Sequence, residues 1–294
     1  MRIFVTGAAS FIGTELLNQC RDRGIDVVGV DSRTVAGCHA ADIRDPAIAD
    51  LIPEDVDAIV HLAALSRDPD CRNRGRHCFD VNVMGTLNLM EAAETRRARQ
   101  FVFASSEWVY DSFQPGVDKT EDDVIDATRL TSEYAFSKFV SENNLRQKSA
   151  HGFCAATVLR FGIVYGSRSD NWSAVEALFN AVATRDEVGI GSLATGRRFL
   201  HVSDVADGIL ASLGRLPGFE IINIQGRRMV TLGDVIATSA RLLGRSPRVT
   251  ETAPAAPSLR PVSSVKAERL LGWQARVELE EGLIRLRDFL GIAP

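Results

Sequence analysis

The sequence predicts an α/β fold, a doubly wound parallel sheet with a smaller second unit, on three observations. Short β-rich apolar runs alternate with helix-length stretches through the first half. The runs are apolar throughout rather than alternating, as strands buried on both faces must be. The first run also passes through a glycine turn straight into a helix-like stretch. In order, strands are expected at residues 3–6, 27–30, 58–61, 101–104 and 155–160, with helices near 11–23, 78–97 and 131–149.

Beyond about residue 166 the alternation loosens. Residues 199–202 and 221–224 look like strands that rejoin the first sheet, 253–261 carries three prolines and reads as loop, and 279–290 resumes helical apolar spacing. The expected organisation is therefore interleaved: residues 1–166 as a dinucleotide-binding unit rejoined by 198–224, and 167–197 with 225–294 as a substrate-binding unit.

The formal charge of −4 over 294 residues, with cations scattered among acids, provides no broad basic face for nucleic acid. The five cysteines show no C-x-x-C spacing and suit reduced thiols. Cys71, His77 and Cys78 lie close in sequence but lack a zinc spacing, so no metal is assigned. Neither a signal peptide nor a run of apolar residues long enough to span a membrane is found, and the expectation is a cytoplasmic protein with no membrane partner.

The glycine turn reads Thr6-Gly7-Ala8-Ala9-Ser10-Phe11-Ile12-Gly13. Glycines admit close backbone approach, and the free N–H groups of a helix start attract a pyrophosphate. A tight turn without a ligand has the same pattern. The next strand ends at Asp31, where an acid can accept the ribose hydroxyls of NAD and repel the phosphate of NADP, although Arg33 nearby softens that discrimination. The cofactor expected from these residues is NAD.

Tyr134 and Lys138 stand four residues apart, hence on one helix face. An adjacent cation and a positive nicotinamide ring favour phenolate, which makes a tyrosine a usable base. The same spacing also occurs on ordinary surface helices. Ser105 and Ser106 follow the strand at 101–104 and so fall at its carboxyl end, where open α/β sheets bind ligands. Their other reading is a turn or cap.

With these three features on one chain, the sequence closely resembles the extended short-chain dehydrogenase/reductases, within the NAD-dependent epimerase/dehydratase family of nucleotide-sugar enzymes. The resemblance spans nearly the full length. It takes in Asp42-Ile43-Arg44-Asp45, His61-Leu62-Ala63-Ala64, Asn82 in Asp80 to Thr86, Arg160 to Gly166, Arg197 to Ala206, and Lys266 with Leu271-Gly272-Trp273. It implies a Rossmann-type sheet and NAD contacts from Gly7, Ser10, Phe11, Ile12, Gly13, Asp31, Asp42, Ile43, Leu62, Ala63, Ala64, Asn82, Ser105, Phe161 and Ile163. It implies Ser106, Tyr134 and Lys138 as active-site serine, base and supporting lysine, with Tyr134 and Lys138 also on the cofactor. Arg197 and Arg260 are implied as diphosphate ligands, suited by their paired donors and permanent charge. A homodimer through the helices near 78–97 and 131–149 is a further implication.

The chain departs from the family pattern at four positions. Ser10 stands where a glycine is usual, Asp111 replaces another glycine, and Ile163 replaces an asparagine on the diphosphate side. Related dehydratases carry an acid–base pair after the active-site hydroxyl. Here that pair reads Glu107-Trp108, and tryptophan cannot do acid–base work. Glu107 is left either to contact substrate or to face solvent as a loop acid. The expected activity is that of a nucleotide-sugar epimerase working through a transient keto-sugar and NADH. A dehydratase or a net dehydrogenase/reductase is the alternative, and a non-catalytic dinucleotide sensor a remote one.

Overall fold

The apolar runs of the first half pair side by side, because strands without a polar face can only be buried on both sides. The computed structural model describes residues 1–114 and 116–292; the final two positions of the expected second unit, 293 and 294, lie outside them. The strands are β1 (Arg2–Thr6), β2 (Asp26–Asp31), β3 (His39–Ala40), β4 (Ala58–His61), β5 (Gln100–Ser106) and β6 (Ala155–Phe161). There follow the short β7 (Val164–Tyr165), β8 (Glu187–Ile190), β9 (Gly196–Arg197) and β10 (Leu200–His201), then β11 (Phe219–Ile224), β12 (Val230–Thr231) and β13 (Arg248–Glu251). Seven of these form one sheet in the order β11-β6-β5-β4-β1-β2-β3, every pair parallel. β1 lies between β2 and β4, so the chain reverses direction across the sheet there and leaves a crevice at the carboxyl ends of these strands.

Helices cover both faces: α1 (Phe11–Asp22), α2 (Asp68–Cys71), α3 (Gly75–Phe79), α4 (Gly85–Thr95), α5 (Glu133–Ala150), α6 (Ala174–Thr184), α7 (Val202–Ser212), α8 (Leu232–Leu242), α9 (Val265–Leu271) and α10 (Leu279–Phe289). On one face Leu16, Val205, Ile209 and Leu271 pack onto Ile3, Val5 and Val60. On the other, Leu89, Met90 and Leu145 pack onto Phe4, Ile59 and Phe101. A third apolar cluster, around Phe179, Val235 and Leu283, joins α6, α8 and α10 over the carboxyl end of the sheet. Among the described residues no helix is long and apolar enough to cross a membrane.

Two expected elements differ. The helix expected over 78–97 is broken by a π turn at Asp80–Met84, where the buried Asn82 turns its amide inward and Thr86 Oγ1 donates to the Asn82 carbonyl (2.6 Å). The strand expected at 199–202 does not join the main sheet. Only Leu200–His201 is extended, pairing with β7, because the His201 ring accepts the Ser203 N–H and starts α7 at Val202. The segment 221–224 does join the sheet, at its edge beside β6.

Candidate active site

The glycine turn is shaped by contacts that only hydrogen side chains satisfy. Gly7 has φ +67°, and a Cβ there would lie 2.8 Å from the Ala63 nitrogen; one on Gly13 would lie 2.2 Å from the Gly7 carbonyl oxygen. β1, the segment after β4 and the start of α1 are thereby drawn to one point. Ser10, in place of the usual glycine, is the N-cap of α1: its Oγ accepts the Gly13 N–H at 3.1 Å. The hydroxymethyl thus folds back onto the helix start, and the amides of Phe11 and Ile12 are left without an intrahelical partner.

Asp31 is buried at the end of β2 and braces the turn. It accepts the N–H of Ala9 (3.1 Å) and both the N–H and Nε of Arg33 (3.0 Å each). Burial works against its charged form, but the Arg33 bonds outweigh it and hold the carboxyl below its usual range. Three of its roughly four acceptor sites are therefore engaged. Receiving both hydroxyls of a ribose requires Arg33, which is largely exposed, to let go of one.

From this turn a cleft of about 1550 Å³ runs across the carboxyl ends of the strands to the starts of α6 and α8 and to α10. Its lining brings together Gly7, Ser10, Phe11, Ile12, Asp31, Asp42, Ile43, Leu62, Ala63, Ala64, Ser105, Ser106, Tyr134, Lys138, Phe161, Ile163 and Arg197. Gly13, Asn82, Glu107 and Arg260, also expected at the site, are not on its wall. Gly13 sits beneath the turn. Asn82 stands behind the wall, where it accepts the Leu65 N–H (2.8 Å) and donates to the Leu65 carbonyl (3.0 Å) and Ser137 Oγ (2.9 Å). It ties the segment after β4 to α5 without touching the cleft.

At the floor, α5 starts on the Ser132 cap and places Tyr134 and Lys138 one turn apart, both buried. Tyr134 packs against Cys71, Cys78, Leu65 and Trp108. Burial pushes its phenol up to about 12, with the Ser106 hydroxyl pulling the other way. Lys138 Nζ donates to the Ala104 carbonyl (2.7 Å) and lies 6.0 Å from the centre of the Tyr134 ring. Burial brings it down to about 8. Ser106, at the end of β5, caps the short turn Glu107–Val109 by accepting the Trp108 N–H (3.3 Å), which leaves its proton free to donate. Ser105 instead donates to Glu142, which pairs with Arg160 at 2.6 Å, both buried.

Behind that floor lies the sharpest departure from ordinary packing. Glu107 is fully buried, and neither carboxylate oxygen has a hydrogen-bond partner among the described residues. Burial raises it to about 7, against the pull of Arg197 and Arg260. A solvent-facing loop acid is therefore excluded. Arg260 stacks on Trp108 (4.6 Å) and Phe113 (5.4 Å) with no partner for its Nη1 among the described residues, while Arg197 Nη1 is held by the carbonyls of Gly196 and Ser258 (2.6 Å each).

Sequence reasoning missed Arg168. Its guanidinium lies over the Phe11 ring (4.5 Å), pairs with Glu176 (2.7 Å) and lines the cleft beside the glycine turn. The only available signal was a cation two residues past Gly166.

A family model described as "NAD dependent epimerase/dehydratase family" matches residues 3–224. The chain belongs to that family. It is an enzyme of a group whose cofactor is NAD, and the glycine cradle, the open Phe11 and Ile12 amides and Asp31 fit that group. The UDP-glucose 4-epimerase of Mycolicibacterium smegmatis is 28% identical over 318 aligned positions, covering 98% of each chain. Among solved structures, MoeE5 in complex with UDP-glucuronic acid and NAD superposes with a TM-score of 0.88 at 27% identity, covering 99% of each chain. The UDP-glucose 4-epimerase of Thermus thermophilus, in complex with NAD, gives 0.86 at 25% identity over the whole of both chains.

Proposed function

We propose that this enzyme is a nucleotide-sugar epimerase in which Tyr134 is the base. The observation that carries the reading is the convergence of Tyr134, Lys138 and Ser106 on the floor of the cleft that also holds the glycine turn and Arg197. In the wider family this chemistry begins by oxidising a sugar alcohol, and a protonated phenol cannot start it. Lys138 is the nearby cation that offsets part of the burial cost of phenolate, and its protons beyond the one on Ala104 remain for ribose hydroxyls. Ser106 donates to the sugar oxygen and keeps it between itself and Tyr134. NAD, when bound, supplies the hydride acceptor and donor. Gly7, Phe11, Ile12 and Asp31 hold its adenosine diphosphate end, and Lys138 and Phe161 its nicotinamide end. Arg197 faces the nucleotide diphosphate of the substrate, and Arg260 reinforces it from behind Trp108.

Epimerisation is favoured over dehydration because the position beside Ser106 on the cleft wall is Trp108, with the Glu107 carboxylate turned away behind it. A keto-sugar formed there meets no second acid–base group at that position and is reduced again on its other face. The NAD-loaded enzyme, given UDP-, GDP-, CDP- and dTDP-hexoses, is expected to equilibrate one pair of epimers with no net NADH. A 4-keto-6-deoxy product or stoichiometric NADH would instead support the dehydratase or dehydrogenase alternative.

The homodimer is proposed through α4, the π turn before it and α5, where Met84 and Phe136 leave large apolar side chains exposed. Light scattering should give twice the chain mass, and Phe136→Glu should lower it.

A further inference from the structure

Glu107 asks for an explanation beyond the hydride chemistry. A carboxylate removed from water normally collects hydrogen bonds or an ion pair. Glu107 has neither among the described residues, although it follows Ser106 directly and two arginines act on it from other elements. Arg197 comes from β9 and Arg260 from the loop before α9. These strands of chain are bound together: Gly196 donates to the Ser258 carbonyl (3.0 Å), and Arg197 Nη2 donates to Ser258 Oγ (3.1 Å). The turn that carries Glu107 packs against α5, which bears the titratable Tyr134 and Lys138, and Asp111 lies just past that turn.

Charge counting in this enclosed cluster points one way. Two guanidinium groups balance the two negative charges of a nucleotide-sugar diphosphate. An ionised Glu107 behind the two guanidinium groups would leave the filled site with an unbalanced negative charge, whereas a protonated one leaves it neutral. We propose that Glu107, from behind the cleft wall, tunes a diphosphate subsite formed by Arg197 and Arg260, and that this subsite takes its anionic ligand together with one proton, carried by Glu107. The inference rests on the reading of the two arginines as diphosphate ligands. Burial, which raises Glu107 to about 7, acts in the same direction.

The test is calorimetric titration of UDP-, GDP-, CDP- and dTDP-glucose into NAD-loaded protein carrying Tyr134→Phe, so that no turnover intervenes. Their diphosphate diesters do not titrate near neutrality. In two buffers of different ionisation enthalpy at about pH 8, the nucleotide sugar that binds should take up close to one proton, and its Kd should weaken about tenfold per pH unit above that point. Adding Glu107→Gln, which keeps the shape and the neutral state, should abolish the uptake, flatten the pH dependence and tighten binding at high pH. Binding that weakens in Arg197→Ala but carries no proton uptake overturns the inference and leaves the arginine reading intact. Binding by none of the four, or binding indifferent to Arg197→Ala, removes the arginine reading and the inference with it.

Discussion

Replacing Glu107 by glutamine should stabilise the protein, by an amount that grows as the pH rises from the ordinary carboxyl range to neutrality. In the unfolded chain this carboxyl ionises near 4.5; in the folded protein burial raises it to about 7. Between those values the folded state holds a proton that the unfolded state has lost, so stability falls as pH rises through that window. At about 1.4 kcal/mol per pH unit the penalty reaches about 3 kcal/mol once the group is ionised in both states. Glutamine fills the same space and never pays it. For a chain of this size that is a rise in Tm on the order of 5 °C. The assay is thermal unfolding of both proteins at about pH 4 and about pH 9. The two should melt together at the lower pH and separate at the higher, with the variant above. Equal melting at both, or a less stable variant at about pH 9, would refute the picture of a buried acid without partners.

Three further outcomes follow from the geometry. Gly7→Ala forces a side chain into φ +67° and against the Ala63 nitrogen, a backbone cost of roughly 1–2 kcal/mol, so NAD affinity measured by fluorescence titration should fall on the order of tenfold or more. Lys138→Met removes the cation beside Tyr134. Turnover should drop on the order of 10²–10⁴-fold, and the acid limb of the pH–rate profile should move to higher pH as phenolate becomes harder to form. Arg160→Met strands Glu142 as a buried charge bonded only to the Ser105 hydroxyl, and denaturant titration should show a loss of about 3–5 kcal/mol.

Much of this site was legible in the sequence because its parts are local. A glycine turn, an acid at the next strand end and a Tyr/Lys pair one helical turn apart each have a fixed backbone geometry. The sheet order carries them to one cleft. The stretch after residue 166 was harder to read, since the strands beside α6 and α8 are only two to four residues long, although the capping boxes of Ser173 with Glu176 and Thr231 with Asp234 marked both helix starts. The π turn at Asn82 and the short strand before α7 were illegible because long-range partners decide them: Leu65 and Ser137 in one case, β7 in the other. Glu107 shows the same limit. Its place beside Ser106 was visible, but its burial depends on which way a three-residue turn rolls and on arginines some 90 and 150 residues away in sequence.

Hydride return is the step that separates an epimerase from its relatives, and deuterium can follow it. The nucleotide sugar that the substrate panel identifies is prepared with deuterium on the carbon to be inverted and incubated with the NAD-loaded enzyme in ordinary water. If Tyr134 serves an oxidation that is reversed in place, the epimer should retain the label on that carbon, and Tyr134→Phe should produce almost no epimer. Loss of the label to solvent or to free cofactor, or a Tyr134→Phe enzyme as fast as its parent, would contradict the account.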